Sequence, residues 1–391
     1  MGMKNSKYFI LTSLVVLGCL CIGFSLARHR ALWNDEYYSQ STSVEKTSFT
    51  DQFLGHIGEG GNAPLFYALQ KSFLKLVHYQ TPAPWLDGKF SSDPLSQIML
   101  RINPIIFMSL AAGLIFYYFS KKYSWLVGFY SLWIYLSCYM VWGYWVQARP
   151  YALIVFLTTA QSVILLNKID QKPRSNADNS WVFLSLVNIL LSLSFILSLG
   201  EIVAVSVLWW ILGERQIRRY VAITVIPTAL ALFYYIQAPK YQFFFGSLSP
   251  EQLIRDNIAR QYFDFLFLFI ILLGSYFVGQ WWKRKEILGK EILEPIYYCL
   301  FMVLVLAWAA VILGIFGLKA KPDQGFPITS RYFIYLTPIG VMATTIFSVS
   351  MIKSLSAYRP VQYFFMALSG GLIAQHFFKI LPNATRILFH P

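Results

Sequence analysis

The chain is 391 residues long, 57% hydrophobic and only 13% charged, with a mean hydropathy of +0.53. Soluble domains carry about 25% charged residues, so this composition excludes a soluble enzyme, a disordered chain and a disulfide scaffold, and it defines a polytopic membrane protein. The net charge of +14 is scattered over short connections, which fits topology signals and contacts to anionic headgroups better than nucleic-acid binding.

In chain order, the first apolar run is Tyr8 to Leu26, 19 residues or about 28 Å as a helix. It follows Lys4 and Lys7 and runs into Arg28-His29-Arg30 rather than a small-residue cleavage site, which predicts an uncleaved first span. Further windows long enough to cross a bilayer lie at 98–120, 124–143, 150–167, 181–199, 202–213, 221–237, 263–282, 292–317, 332–352 and 360–381. The sixth is short and predicts a hairpin or re-entrant piece with the fifth. The expected architecture is therefore all-α, a bundle of about 11 transmembrane helices forming a single domain over 1–391, with no appended soluble domain and no internal repeat. Cys19, Cys21, Cys138 and Cys299 all fall in apolar stretches, so neither a disulfide nor a thiolate metal site is implied.

Placing the N-terminus in the cytoplasm puts Lys121-Lys122, Lys168/Lys172/Arg174, Arg215/Arg218/Arg219 and Lys283-Arg284-Lys285/Lys290 on the cytoplasmic side, as the positive-inside tendency requires. The first loop, residues 27–97, then faces outward. Loops of such length in a protein of tight turns are usually functional. Within it, Phe66, Leu69, Phe73 and Leu76/Val77 recur at helical spacing from Ala63 to Tyr79, with Lys71, Lys75 and His78 on the other face and Pro64 in the first turn. That pattern predicts an amphipathic helix lying in the headgroup region.

Three motifs share this outer face. Asp35-Glu36, between Trp33 and Tyr37-Tyr38, pairs two carboxylates where the chain leaves the first span. Such a group can take a proton from a hydroxyl or hold a divalent cation, or it simply anchors a helix end. Gln147-Ala148-Arg149-Pro150-Tyr151 sets a permanent cation before a proline that can open a helix, and a guanidinium fork matches two phosphate oxygens. The plainer reading is a snorkelling arginine. Ser330-Arg331-Tyr332-Phe333 repeats that choice at the tenth span, and Glu201, lone between two apolar windows, is either a second acid or a turn residue. His29 and His56 could join Asp35, Glu36 or Asp51 around a cation, although solvated loop histidines are the simpler reading. Taken together, these residues describe an outward site for an anionic lipid and a polar group.

The order of these motifs resembles that of the GT-C superfamily of integral membrane glycosyltransferases, in particular the protein O-mannosyltransferase and aminoarabinose-transferase group. The resemblance rests on Asp35-Glu36 in the first outer loop, Asn62-Ala63-Pro64-Leu65-Phe66-Tyr67, Gln147 to Tyr151, and Arg331-Tyr332, over residues 8 to about 350. The departures are a single proline at Pro64, Gln147 where glutamate is common, and the lack of an extra soluble domain. The resemblance implies an enzyme of the bacterial plasma membrane that transfers a sugar from a polyprenyl-phosphate carrier to an acceptor hydroxyl of a glycan, lipid or protein, with inversion. It implies Asp35 as general base, Glu36 holding the acceptor or a metal, and Arg149 and Arg331, with Lys71 and Lys75, on the donor phosphate. Tyr37, Tyr151, Glu201 and Tyr332 would shape the acceptor side. No cofactor is implied beyond an optional divalent cation. The alternatives are a flippase or transporter of lipid-linked saccharide, and a transferase of the O-antigen polymerase or ligase type.

Overall fold

A computed structural model of the protein describes residues 3–58, 63–80, 94–170, 179–213, 216–237, 290–319 and 330–354, with isolated positions between 363 and 378. The expected span at 263–282, most of that at 360–381, and Lys172, Arg174, Arg215 and Lys283 to Lys285 lie outside the described residues. Every element among the described residues is helical: α1 (Met3–His29), α2 (Asn34–Tyr38), a π-helix (Ser39–Glu45), α3 (Phe49–Phe53), α4 (Leu65–Leu76), α5 (Pro94–Lys122), α6 (Trp125–Leu136), α7 (Tyr139–Tyr144), α8 (Tyr151–Asp170), α9 (Ser180–Ser192), α10 (Leu199–Ile211), α11 (Ile217–Tyr220), α12 (Ile226–Gln237), α13 (Lys290–Lys319) and α14 (Leu336–Ser354). Five stretches are long and apolar enough to cross a membrane, namely Ser6–His29, Pro94–Lys122, Tyr151–Asp170, Ile217–Gln237 and Glu294–Ile312. Trp125–Leu136, Ser180–Ser192, Ile196–Ile211 and Leu336–Ser350 are shorter apolar helices.

The helices run between two ends with different chemistry. At one end, Lys122 pairs with Asp170 and Glu294, both at 2.5 Å, and Tyr123 donates to Glu294 at 3.0 Å, tying the ends of α5 and α8 to the start of α13. Lys353, near the end of α14, rests over the Tyr123 ring. The opposite end, where α1 finishes and α5 and α8 begin, carries α2 to α4. The core between is apolar and close-packed, with Trp145, Trp209, Phe116, Phe119 and Tyr135 fully buried. Small residues set the helix approaches: a Cβ at Gly113 of α5 would meet Val16 of α1 at 2.3 Å.

Two prolines inside helices organise the polar interior. Proline lacks an N–H, so the carbonyl four residues earlier loses its helical partner. In α5 that carbonyl is Leu100, facing Pro104, and Gln70 of α4 donates to it at 3.0 Å while accepting from Asn103 at 2.7 Å. Before α12 it is Ile223, facing Pro227, and Asn188 of α9 donates to it at 2.9 Å; Gln161 of α8 in turn donates to Asn188 at 2.9 Å. Each loss is made good by a side chain from a neighbouring helix, so the vacated carbonyls double as docking points.

The expected fifth span, 181–199, divides. Helix α9 stops at Ser192, and a 3-10 turn over Ile196–Ser198 leads straight into α10. Glu201, itself fully buried, consequently sits in the first turn of α10 rather than in a connecting turn. Its neighbour Gly200 is pressed on by Trp308 of α13: a Cβ there would lie 1.8 Å from the indole, whose N–H donates to Leu197 O at 3.2 Å. Gly200→Ala is expected to cost about 1–3 kcal/mol, as overpacking does, read as a lowered thermal midpoint of the detergent-purified protein. An unchanged midpoint would mean that α10 and α13 are free to part.

Candidate functional site

The chain leaves α1 at His29 and turns into α2 through Trp33, whose extended backbone precedes the helix. Glu36 stands at the third position of α2 and reaches back to accept from the Trp33 N–H at 2.9 Å, which fixes the helix start. The same carboxylate accepts from Ala148 N–H at 2.8 Å and from Arg101 of α5 through two bonds, Nε at 3.0 Å and Nη2 at 2.7 Å. Arg101 spends its remaining donors on the carbonyls of Ala27, Arg30 and Ala31, where α1 ends. Both side chains are buried, 0% exposed for Arg101 and 2% for Glu36. Burial alone would raise the Glu36 carboxyl, but Arg101 and the two backbone N–H groups hold it below the usual carboxylate range.

This buried pair fixes the geometry of the neighbouring residue on each side. Asp35, next to Glu36, is partly exposed, and its Oδ2 accepts from Arg149 Nη1 at 2.6 Å and from Arg331 Nη1 at 2.8 Å. Arg149 directly follows the Ala148 amide that Glu36 holds. Arg331 comes from the 3-10 turn Ser330–Phe333 that leads into α14. Two guanidinium groups, 114 and 296 residues away from Asp35 in sequence, thus meet on one carboxylate oxygen. Aromatic rings line the pair. Arg149 lies over Tyr151 at 5.5 Å and Arg331 over Tyr332 at 5.6 Å, while Tyr332 stacks on Phe195 and Tyr144 meets Tyr151 edge-on. The buried Arg331 Nε and Tyr151 Oη have no hydrogen-bond partner among the described residues.

Other expected residues sit elsewhere. Glu36, expected to hold an acceptor or a metal, has both oxygens occupied by protein donors and acts instead as the clamp beneath Asp35. Tyr37 is buried in the packing under α2 with Leu32, Val44 and Tyr67, not in the acceptor space. Glu201 accepts from Thr158 Oγ1 at 2.8 Å, two turns of α8 beyond Tyr151 and inside the bundle. Lys71 does not face outward as a free cation: its ammonium donates to the carbonyls of Val44 at 2.8 Å, Thr47 at 2.5 Å and Glu45 at 3.5 Å, closing the C-terminal end of the π-helix. Lys75 lies over the Phe49 ring at 4.9 Å.

The predicted amphipathic helix forms as α4, but with a rotated face. Phe66, Tyr67, Gln70 and Leu74 point inward, while Leu69 is exposed and Leu76 is 78% exposed. Gln70 sets this rotation by seeking the Leu100 carbonyl, which leaves the leucine stripe outward where lipid would meet it. His56 stands 3.7 Å from Asp51 on the surface, and among the described residues no group of three or more histidines, cysteines or carboxylates could hold a metal ion.

Sequence reading missed Arg101, Arg30 and Tyr144. Arg30 Nη1 donates to Gly143 O at 2.9 Å, and the Tyr144 phenol lies in the field of Arg331, Arg149 and Arg30 together. With Glu36 and Arg101 cancelling, two guanidinium groups, Arg149 and Arg331, face one carboxylate, Asp35. The available signal was Arg101 itself, a charge inside an otherwise apolar window, which is expensive unless partnered. No family model and no curated protein matches the chain.

Proposed function

We propose that the protein is a membrane glycosyltransferase of GT-C type, with eleven spans and its N-terminus in the cytoplasm, moving a sugar from a polyprenyl-phosphate carrier to an acceptor hydroxyl at the outer face of a bacterial plasma membrane. The observation that carries this reading is the sharing of Asp35 Oδ2 by Arg149 and Arg331 beside an unspent Arg331 Nε and Tyr151 Oη. A site with more cationic donors than its one carboxylate can satisfy suits a phosphate. In the proposed step Asp35 takes the proton of the acceptor hydroxyl as its oxygen bonds to the anomeric carbon. The bond from that carbon to the phosphate oxygen breaks, and the lipid phosphate leaves with the electron pair between Arg149 and Arg331. One displacement inverts the anomeric centre. Because both arginines hold Asp35 at rest, arrival of the donor phosphate would draw them off and free the carboxylate.

The test is incubation of the purified protein, in lipid nanodiscs, with radiolabelled polyprenyl-phosphate sugars and envelope extract. Arg149→Ala is expected to weaken donor use by about tenfold to a hundredfold, the effect of losing a charged hydrogen bond of about 1.5–3 kcal/mol, while the protein stays folded. Unchanged donor kinetics would remove Arg149 from the site. A second reading, a flippase for lipid-linked saccharide, draws on Glu201 and the Gln161–Asn188 pair, polar groups inside the bundle of the kind transporters use. Vesicles that move the carrier without transferring sugar would favour it.

A further inference from the structure

A groove of about 710 Å³ opens on the outer loop between the π-helix and the C-terminal turn of α4. Its floor is apolar, made by Val44 and Leu74, and its two rims carry opposite charge. On one rim Glu45 keeps a carboxylate oxygen in place through Gln40, whose amide donates to it at 3.2 Å. On the other stand Lys75 and His78. Lys71, between them, has its three N–H donors committed to backbone carbonyls, so it contributes charge but no free hydrogen bond. Lys75 keeps its ammonium donors, and among the described residues it makes no ion pair. His78 is held at φ 51°, the left-handed region that non-glycine residues rarely enter, which turns the chain at the groove's edge into Tyr79. Just beyond, Leu76 and Val77 are exposed apolar side chains.

An apolar floor, a cationic rim, an anionic rim and an exposed apolar exit describe a receptor for a zwitterion with a greasy tail. We propose that this groove binds the phosphoethanolamine headgroup of a membrane phospholipid. The phosphate lies at Lys75 and His78, the primary ammonium donates to Glu45, the glycerol covers Val44 and Leu74, and the acyl chains leave along Leu76 and Val77. A quaternary amine has no N–H for Glu45 to accept and would need an aromatic face instead, and Phe49, the nearest such ring, is already covered by Lys75. An anionic headgroup without an amine would be held by the lysines alone and would leave Glu45 without its ammonium partner. The inference is independent of glycosyl transfer and concerns how the loop is seated on the bilayer.

The experiment is native mass spectrometry of the full chain in detergent after exchange with phosphatidylethanolamine, phosphatidylcholine or phosphatidylglycerol. The unaltered protein is expected to retain phosphatidylethanolamine about three- to fivefold over either other lipid, as one partly exposed charge pair allows. Glu45→Gln should bring it down to the level of phosphatidylcholine, and Lys75→Gln should lower all three. Both substitutions fall on exposed side chains of the π-helix and α4, and the lipid series on the unaltered chain decides even if one variant misfolds. Equal retention of the three lipids, retention of phosphatidylglycerol alone, or two variants with the parent's profile would overturn the assignment.

Discussion

Arg101→Ala is expected to destabilise the protein by about 3–5 kcal/mol, the cost of stranding a buried charge by removing its partner. The substitution leaves the Glu36 carboxylate with only the Trp33 and Ala148 amides, and it orphans the carbonyls of Ala27, Arg30 and Ala31 at the end of α1. The measurement is thermal unfolding in detergent, with Glu36→Gln/Arg101→Met as the control: a neutral pair of similar shape should recover part of the loss. A single variant as stable as the parent would show that Arg101 is not holding the loop. The pair also sets a pH dependence. The Glu36 carboxyl is depressed in the folded state, so its contribution is fully present above the unfolded-state value and is lost as pH falls through the folded one. Stability should drop in the acid range below about pH 4, and Glu36→Gln should flatten that part of the profile.

Asp35→Asn is expected to remove sugar transfer by about 10² to 10⁴-fold, the usual worth of a general base, and to lower the thermal midpoint while the protein still folds, because Arg149 and Arg331, 8% and 20% exposed, lose their counter-ion. A merely structural role would not produce the second readout. With the carboxylate neutralised, Arg149 and Arg331 lose their internal anion, and binding of inorganic pyrophosphate, followed by its effect on the thermal midpoint, should tighten. The asparagine variant turning over normally would dismiss Asp35 as the base. Pyrophosphate binding no tighter than in the parent would mean that the two arginines are not an anion seat.

Much of the fold could be read directly from hydropathy, because a helix in lipid must carry a long apolar run and little else produces one. The window at 98–120 falls within α5, that at 150–167 lies in α8 but for Pro150, and the short sixth window overlaps α10. The meeting of Asp35 with Arg149 and Arg331 was also foreseeable, since charges at one depth on one face of a bundle have few places to go. The role of Glu36 was not. In sequence it is one of two adjacent acids, and which of them turns inward depends on the start of α2 and on a partner 65 residues away. The inward packing of Phe66 and Gln70 on α4 was not legible for a related reason. Periodicity reports where the leucines point relative to one another, whereas the rotation of that helix is decided by a single amide finding a vacated carbonyl. Lys71 followed the same rule: its chain neighbours mark it as a surface cation, but three carbonyls at the end of the π-helix claim it.

The bond from Gln70 to Leu100 O has a consequence for how an extramembrane segment can be kept in register with a moving bilayer. A regular helix offers no free acceptor along its length, so a peripheral helix laid against it can slide or roll at small cost. Pro104 creates one acceptor at one height, and Asn103 beside it closes the return bond, so α4 has a single latitude and a single azimuth on α5. The loop that carries α2 to α4 is thereby indexed to the helical body by a backbone irregularity, with no covalent link needed.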